Sequence, residues 1–328
     1  KMKIAIIGAG ISAITIAQNL KNVATVSLFE KSRSVGGRMA LRRSGPYEFD
    51  HGTQFFTAKN KDFKKFIAPL IKKNVIKQWD ARFAEFKNTK LLRNTTWGSE
   101  YPHYVGVPGM NSISKYLSKE LNIKLNTKVN KIVKNTNNGW ELFDDKFINL
   151  GEFDWVISTA PAIQSAEILP IHFMYHDDLL SKKMVGCFSL MLGFKKALPL
   201  LWDAALIRDA DISWVSINSS KPNREKSFSM LVHSTNAWAE KHLSDSYEDV
   251  ISFLNKETSR IIGHDTSQAD HIDIHAWRYA NIGKQTKPNL LIDYENRLAS
   301  CGDWLIQGRV ESAFEAGLMT AKEIMKII

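Results

Sequence analysis

The chain opens with the stretch KIAIIGAGISA, residues 3–13, and this stretch decides the fold of the N-terminal part. Residues 3–7 are an apolar run rich in β-branched side chains, which is typical of a strand buried on both faces of a parallel sheet. Small and apolar residues from 11 to 20 predict a helix, and residues 25–29 predict a second strand. The sequence therefore predicts a strand–helix–strand unit within its first 30 residues.

The sequence GAGISA, which begins at Gly8, has the G-x-G-x-x-A spacing of a dinucleotide-binding turn. Gly8 permits the tight turn after the strand, and Gly10 leaves room for a pyrophosphate to approach the backbone. Ala13 lets the helix pack closely on the strand, and the helix N-terminus at Ile11 and Ser12 faces the phosphates. Because the motif lies between a predicted strand and a predicted helix, it indicates a dinucleotide site rather than a chance glycine-rich turn.

An acidic residue follows the motif at the distance that this kind of site needs. Glu30 ends the second predicted strand, 20 residues after Gly10, where a carboxylate accepts hydrogen bonds from a ribose 2′-hydroxyl. A carboxylate in this position disfavours a 2′-phosphate. The combination of strand, glycine motif, helix and acid predicts that the first domain binds a dinucleotide.

Length and composition exclude several classes of protein. A chain of 328 residues with 44% hydrophobic and 24% charged residues fits a globular protein of about two domains with a sizeable core. It has only two cysteines, Cys187 and Cys301, which lie far apart without metal-type spacing, so a disulfide scaffold and a cysteine-based zinc site are both excluded. The net charge of +10 permits a nucleic-acid partner, but the lysines form no long run, so that partner is not predicted.

The hydropathy pattern does not predict a membrane protein. No apolar run reaches the roughly 20 residues that a spanning helix needs. Residues 1–17 imitate a signal peptide, but the strand, turn and helix described above explain the same pattern. We therefore expect a cytoplasmic protein with no membrane partner.

The remaining pattern predicts a second domain inserted into the first. Helices are predicted over residues 62–74 (kinked or split at Pro69), 111–121, 236–243, 246–262 and 310–324. Strands are predicted over residues 123–133 and 140–148, joined by a turn at 137–139, and over 154–160, 185–194, 212–217, 228–232, 272–276 and 298–301. The predicted fold is α/β, a Rossmann-type domain of residues 1–65, 105–165 and 285–328 with an inserted α+β substrate domain, residues 66–104 and 166–284, built on an antiparallel sheet.

Resemblance to a known family begins at Glu30. The block EKSRSVGGR, residues 30–38, resembles the E-K-x-x-x-x-G-G-R block of FAD-containing amine-oxidase-like flavoproteins. Further matching blocks are DHGTQFFT (50–57), YVGVPGM (104–110), HAWRYA (275–280), CGDW (301–304) and GRVE (308–311). Together the blocks cover essentially the whole chain and resemble bacterial renalases and renalase-like FAD oxidoreductases. The chain departs from the residues common in that family at Thr53, Ala276, Ser312 and Glu315, of which Ala276 bears on the substrate pocket.

The resemblance implies a noncovalent FAD in a p-hydroxybenzoate-hydroxylase-like arrangement. On that template Glu30 binds the adenosine ribose, and the backbone of Val129 reaches the adenine. Arg38 and the glycine turn that ends at Gly37 lie by the pyrophosphate. Lys31, in the same block, is also expected to bind the cofactor.

The template also places residues along the flavin half of the cofactor. These residues are Thr53 and Gln54 along the isoalloxazine, Gly302 and Asp303 at the ribityl or phosphate portion, and Arg309 and Val310 at the pyrimidine edge. Val310 has independent support, because a helix that begins there points its positive end at the flavin N1–C2=O edge. For Asp303, the residues alone favour equally a contact with the cofactor and a structural role as a helix cap or strand-end carboxylate. Cys301 is expected to be a small buried residue rather than a covalent attachment point.

The resemblance further implies a reaction. It is the oxidation of the 2- and 6-dihydro isomers of NAD(P), in which hydride passes to flavin N5, O2 is reduced to H2O2, and NAD(P)+ is released. Hydride transfer needs orientation more than an acid or a base, so we expect no catalytic triad and no metal site. The candidate pocket residues are Gln54, Trp97, His233, Trp238, Trp277, Arg278, Tyr279 and Arg309. For the aromatic ones, core packing is an open alternative.

Three other functions remain open. The first is an amine oxidase or dehydrogenase on the same scaffold, whose signature would be an aromatic cage. The second is a flavin-binding protein without turnover of its own. The third is a nucleic-acid-binding protein that uses the net positive charge, which the scattered lysines disfavour.

Overall fold

The computed structural model describes residues 1–286 and 289–328, and the chain divides into two compact units. Unit 1 comprises residues 1–37, 114–184 and 282–328, and unit 2 comprises residues 38–113 and 185–281. Compared with the domain boundaries predicted above, residues 38–65 and 105–113 lie in unit 2, and residues 166–184 and 282–284 lie in unit 1. The assignment of the two units to cofactor and substrate binding stays a prediction at this point.

The strands and the helices of the two units, each numbered in chain order, are as follows. The strands are β1 (Lys3–Ile7), β2 (Thr25–Phe29), β3 (Arg42–Ser44), β4 (Tyr47–Phe49), β5 (Ile76–Gln78), β6 (Arg82–Lys87), β7 (Lys90–Thr96), β8 (Tyr104–Gly106), β9 (Ile123–Lys124), β10 (Val129–Lys134), β11 (Trp140–Asp144), β12 (Asn149–Phe153), β13 (Trp155–Ser158), β14 (Val185–Phe194), β15 (Ala204–Arg208), β16 (Ile212–Ile217), β17 (Phe228–Ser234), β18 (His271–Asn281), β19 (Leu291–Asp293) and β20 (Leu298–Ser300). The helices are α1 (Ile11–Leu20), α2 (Lys61–Lys72), α3 (Ser112–Leu117), α4 (Ala162–Ile168), α5 (His176–Ser181), α6 (Asn236–His242), α7 (Tyr247–Ile262) and α8 (Val310–Met325), with 3₁₀ turns at Asn218–Ser220 and Asp303–Leu305.

Unit 1 is built on a six-stranded sheet with the order β19-β20-β13-β1-β2-β9. The central strand β1 is parallel to both β2 and β13, and its residues 4–7 are buried, as the apolar run predicts. Helix α1 packs closely against α8 at Gly317. A Cβ on this glycine would lie 2.8 Å from the Ser12 carbonyl oxygen, so the close approach requires a residue without a side chain. Ser12 Oγ also donates to the Ala313 carbonyl at 2.7 Å. The predicted Rossmann-type topology is confirmed.

A three-stranded antiparallel sheet, β10-β11-β12, completes unit 1 and corrects two predicted strands. The continuous strand predicted over 123–133 is wrong, because Asn126 takes a φ of +52° after the short β9 has ended. The strand predicted over 140–148 is also too long, since Asp144 Oδ1 accepts from the Lys146 and Ile148 amides and turns the chain. The predicted turn at 137–139 is confirmed, with Asn138 at a φ of +64°. The helix predicted over 111–121 is shorter and ends at Leu117.

Unit 2 is built on a seven-stranded sheet with the order β18-β14-β17-β16-β15-β6-β7. Its neighbours are antiparallel except for β15 and β6, so the predicted antiparallel sheet is confirmed in its main part. Side chains of β14 such as Phe188 and Leu190 form the core with Val250 and Leu254 of α7. Helix α2 runs unbroken with Pro69 in its last turn, so the predicted split does not occur.

Two further findings concern the described residues as a whole. Within residues 1–286 and 289–328, none of the helices is long and apolar enough to cross a membrane. The same ranges contain no group of His, Cys, Asp or Glu side chains that could hold a metal ion. Cys187 and Cys301 are both buried free thiols.

Candidate active site

The turn after β1 has the backbone shape that the glycine motif predicts. Gly8 takes a φ of +108°, and a Cβ there would collide with the Thr159 hydroxyl, so only glycine fits. A Cβ on Gly10, by contrast, would meet no described heavy atom within 4 Å. Gly37 takes a φ of +58°, and its Cβ would lie only 3.7 Å from the Gly10 Cα. The two glycines therefore leave a bare stretch of backbone beside the start of α1.

The N-terminus of α1 offers donors at this bare surface. Gly10 is the N-cap of α1, no side chain among the described residues caps the helix, and its first turn contains no acidic residue. The amide groups of a first helical turn have no partner inside the helix and form the positive end of its dipole. Because Ile11, Ser12 and Ala13 are buried, these donors are shielded from bulk water in a way that favours a bound phosphate.

Glu30 ties the glycine turn to the end of β2. Its Oε2 accepts from the Ala9 amide at 2.9 Å, and its Oε1 accepts from the Ser32 amide at 2.9 Å. Each carboxylate oxygen has a second lone pair, so Glu30 can still accept from the hydroxyls of a ribose. The Thr127 amide donates to the Glu30 carbonyl at 2.9 Å, which brings Val129, at the start of β10, close to the same place. The predicted ribose and adenine residues thus lie together in unit 1.

Other residues predicted to bind the cofactor lie near the start of α8. This helix begins at Val310, where the sequence predicts it, and Arg309 is its exposed N-cap. Asp303 is buried at the start of a 3₁₀ turn, and its carbonyl accepts from the Ile306 and Gln307 amides. Burial raises the pKa of the Cys301 thiol to about 12, so this thiol stays protonated and unreactive.

In unit 2, a buried carboxylate anchors the segment of residues 50–54. Asp50 Oδ2 accepts from Lys221 Nζ at 3.1 Å and from an Arg224 guanidinium nitrogen at 2.7 Å, and its Oδ1 accepts from the Met110 amide at 3.0 Å. Burial opposes ionisation of Asp50, but the two cations hold the pKa of this carboxyl below its ordinary value. Sequence reasoning missed both cations, because they lie in a loop 171 and 174 residues away along the chain.

The amide of Gln54 is fully engaged inside unit 2. Its Nε2 donates to the carbonyls of Asp50 and Gly52 at 2.5 and 3.2 Å. Its Oε1 accepts from Ser216 Oγ at 2.8 Å and from Trp214 Nε1 at 3.3 Å. The Gln54 side chain therefore has a structural role. A ligand at this segment would contact the backbone of residues 51–54 instead. The neighbouring Thr53 amide donates to the Arg38 carbonyl at 2.9 Å, and the Arg38 guanidinium donates to the Ala280 carbonyl at 3.1 Å.

Three donors meet at the carbonyl of His51. They are Ser189 Oγ at 2.6 Å, Trp277 Nε1 at 2.9 Å and His233 Nε2 at 3.4 Å. Burial lowers the pKa of His51 to about 3 and that of His233 to about 4. Burial also lowers the pKa of His275, which contacts the His51 ring, to about 4. All three imidazoles are therefore neutral at pH 7 and are not acids there.

A set of rings, which we call the aromatic cluster, lies in unit 2 next to this segment. Its members are Phe55, Trp79, Phe83, Trp97, His103 and Trp214. Trp97 is at the centre: it stacks on His103 with ring centroids 3.7 Å apart and planes within 5°, and it lies 5.0 Å from Phe55. Trp79 and Trp214 are buried, whereas the other four rings are half-buried and expose part of their surface. Of these rings, the sequence singled out only Trp97.

Two predicted pocket residues lie elsewhere. Trp238 stacks on His242 and Phe253, with centroids 4.1 and 4.9 Å apart, and so belongs to the packing of α6 and α7. Arg278 is exposed and alternates in direction with Trp277 and Tyr279 along β18, so it points to the opposite face of the sheet.

Comparison with known proteins identifies the family. Residues 82–325 match the family described as flavin containing amine oxidoreductase, and residues 6–70 match an NAD(P)-binding Rossmann-like domain. The chain belongs to the flavin-containing amine oxidoreductase family. The amine-oxidase-like part of the predicted resemblance and the predicted flavin cofactor, FAD, are thereby confirmed.

Several solved structures share the fold of this chain. A candidate protoporphyrinogen oxidase from Exiguobacterium sp. 255-15 matches with a TM-score of 0.78 and 11% identity over 99% of this chain and 98% of that one. Cyclohexylamine oxidase from Brevibacterium oxydans IH-35A matches with a TM-score of 0.71 and 11% identity over 99% of each chain. Wild-type putrescine oxidase bound to putrescine matches with a TM-score of 0.68 and 12% identity over 99% of each chain. At such low identity these likenesses show the fold alone.

The residues of unit 1 fit the FAD that the family implies. The bare backbone at Gly10 and Gly37 leaves space where a side chain would otherwise stand, the amides of α1 face it, and the Glu30 carboxylate lies beside it. A pyrophosphate and a ribose are the groups that this donor and acceptor set suits.

We expect the substitution Gly10→Ala to weaken FAD binding without unfolding the protein. The added Cβ meets nothing in the protein but occupies the space predicted for the pyrophosphate. The dissociation constant of FAD, measured by flavin fluorescence on the reconstituted apoprotein, should rise at least tenfold, which is about 1.4 kcal/mol. The apoprotein should lose no more than about 1 kcal/mol of unfolding free energy. Gly98→Ala, also in open space, is the control and should leave the dissociation constant unchanged. Unchanged FAD affinity in Gly10→Ala would contradict this placement.

We expect the stability of the holoprotein to fall on acidification below pH 6.5, the ordinary pKa of histidine. Below pH 6.5, His51 and His233 bind protons in the unfolded state but stay neutral in the folded state. Each therefore lowers the unfolding free energy by up to about 1.4 kcal/mol for every pH unit of acidification. His233→Gln retains a donor for the His51 carbonyl but does not titrate. Chemical denaturation between about pH 6.5 and 5 should therefore show a shallower pH dependence in this variant. His264→Gln serves as the control, and an equal slope in His233→Gln and the wild type would refute the prediction.

Proposed function

We propose that the protein is an FAD-dependent oxidase of isomeric dihydronicotinamide dinucleotides, the 2- and 6-dihydro forms of NAD(P). The resemblance to renalase-like oxidoreductases, carried by sequence blocks along the whole chain, is the basis of this substrate choice. Bound noncovalently, FAD supplies the redox chemistry by taking hydride from the dihydropyridine at N5 and passing two electrons to O2, which takes up protons and leaves as H2O2. The other product is NAD(P)+.

The aromatic cluster supports a substrate with a planar ring, whereas the choice of a dihydronicotinamide over an amine rests on the sequence resemblance. Trp97 and its neighbours Phe55, Phe83 and His103 expose part of their rings in one place in unit 2. A planar dihydropyridine can stack on such rings, which supplies both binding energy and a fixed ring plane. Hydride transfer depends on that orientation, with the reacting atoms about 3–3.5 Å apart.

The protonation states in unit 2 support the same reaction. His51, His233 and His275 are neutral near pH 7 because burial lowers their pKa values to about 3 or 4. Loss of hydride from a dihydropyridine releases no proton, so it needs none of these side chains as a base. The roles that remain for them are structural: His233 donates to the His51 carbonyl, and His275 accepts from the Arg42 guanidinium at 3.0 Å.

The net charge of the chain also suits this substrate. A dinucleotide is an anion, and a protein with a net charge of +10 attracts anions over distances of about a Debye length. Arg309 and Arg278 are exposed cations that can contribute to this attraction.

The second candidate function is oxidation of primary or secondary amines. The family and the aromatic cluster both favour it, because the alkyl part of an amine can pack against the same rings. The two candidates differ in the molecule that reduces the flavin.

Anaerobic mixing separates the two candidates. We expect the 2- and 6-dihydro isomers of NAD(P) to bleach the flavin of the holoenzyme in a stopped-flow experiment, and putrescine and cyclohexylamine to leave it oxidised. Trp97→Ala should lower the second-order rate constant of this reduction at least tenfold, a loss of about 1.4 kcal/mol. Tyr101→Ala removes an exposed aromatic ring that is 78% accessible and is the matched control. Bleaching by amines, with none by the dihydronicotinamide isomers, would replace the proposal by the second candidate.

A further inference from the structure

An ion cluster without solvent contact lies beneath the segment of residues 50–54. The side chains of Asp50, Lys221 and Arg224 are all 0% exposed. One carboxylate and two cations leave one unbalanced positive charge in the interior when all three are ionised. Removing ions from water costs several kcal/mol each, and a buried ion pair is therefore weak evidence for a gain in stability.

The loop of residues 218–225 holds this segment at several points. Asn218, which is fully buried, donates from Nδ2 to the Glu48 carbonyl at 3.1 Å and accepts at Oδ1 from the Asp50 amide at 3.2 Å. At the other end of the loop, the Glu225 amide donates to Glu48 Oε1 at 2.9 Å. The loop therefore fixes the chain as far as residue 50 without help from its cations.

Lys221 contacts both Asp50 and Gln54, the first and the last residue of the segment. Its Nζ lies 3.1 Å from Asp50 Oδ2 and 3.5 Å from Gln54 Oε1. Gln54 Nε2 in turn donates to the Asp50 carbonyl at 2.5 Å, which closes a ring of contacts among the three residues. Lys221 is the member of this ring that joins both ends of the segment, and the backbone of residues 51–53 lies between them.

We propose that Lys221 is a positioning residue, which fixes the backbone of residues 51–54 and keeps a positive charge beside it during flavin reduction. The proposal rests on the proposed function in that it takes the protein to bind FAD with Thr53 and Gln54 along the isoalloxazine, as the family resemblance implies. A cation held next to that segment favours the anionic reduced flavin over the oxidised one. Lys221 acts through Gln54 and through its charge, and contact with the substrate is not part of its role.

The environment of Lys221 makes its charge sensitive to pH. Burial lowers the pKa of Lys221 to about 8, with Asp50 opposing this shift and Arg224 adding to it. The charged and titratable groups that face it are Asp50, Arg224 and His233, and Trp79 lies with its ring 5.1 Å from Nζ. Asp50 and His233 have pKa values well below this range, so Lys221 is the group of this cluster that loses its proton in mildly alkaline solution.

The test compares holoenzymes of the wild type, Lys221→Met, Lys221→Arg and Lys77→Met. Lys77 is the matched control, because its Nζ donates to Asn223 Oδ1 of the same loop at 3.0 Å but from the exposed side. The flavin midpoint potential is measured from about pH 6.5 to 9.5 against a redox dye with a chemical reductant, so the measurement does not depend on the identity of the substrate. Flavin reduction by the dihydronicotinamide isomers is measured separately.

In the wild type and in Lys77→Met, the potential should fall more steeply with pH above an inflection near 8. Lys221→Met should bind FAD, show a lower potential without the inflection, and react with the substrate at least tenfold more slowly. Lys221→Arg should retain the potential measured at pH 7 and lose the inflection, and this variant tests the proposal if Lys221→Met does not fold.

A wild-type potential and pH profile in Lys221→Met, or an unchanged inflection in Lys221→Arg, would overturn the proposal. Failure of the dihydronicotinamide isomers to reduce any of the proteins would instead count against the proposed function alone.

Discussion

The contact between the Glu30 carboxylate and the amides of Ala9 and Ser32 is the interaction on which unit 1 depends. A buried carboxylate must find donors, and both oxygens of Glu30 take backbone amides at 2.9 Å. One amide belongs to the turn after β1 and the other follows β2, so the contact fixes where the turn ends and α1 begins. The bare backbone at Gly10 and the donors of α1 are thereby placed beside an acceptor, which is the arrangement that a nucleotide requires.

Unit 2 contains a second buried carboxylate, Asp50, that is satisfied in a different way. Its partners are Lys221, Arg224 and the Met110 amide, so its oxygens are committed to the protein itself. Glu30 keeps acceptor capacity and can bind a ligand, whereas Asp50 uses its capacity to hold residues 50–54. The two acids show how the same functional group serves binding in one environment and rigidity in another.

The β1–α1–β2 unit could be predicted to the residue, because its apolar runs, glycines and acid are close together and each has a local physical meaning. Strands β6 and β7 could not, since Arg82–Lys87 and Lys90–Thr96 are rich in charged and polar residues and β7 is exposed along its whole length. Their place in the sheet is set by the pairing of β6 with β15, which is far away in sequence. The Asp50 cluster and most of the aromatic cluster were missed for the same reason: their members meet only after folding. Phe55 carried a signal, because it lies in one of the blocks that resemble the family.

The glycine turn, the start of α1 and Glu30 are together assigned to binding FAD without a covalent bond. The most direct measurement of this assignment is the absorption spectrum of the purified protein, followed by denaturation, filtration and quantification of the released flavin. We expect the spectrum of an oxidised flavoprotein and release of FAD in an amount equimolar with the chain. A colourless protein that cannot be reconstituted with FAD, or flavin that stays attached to the denatured chain, would contradict the assignment.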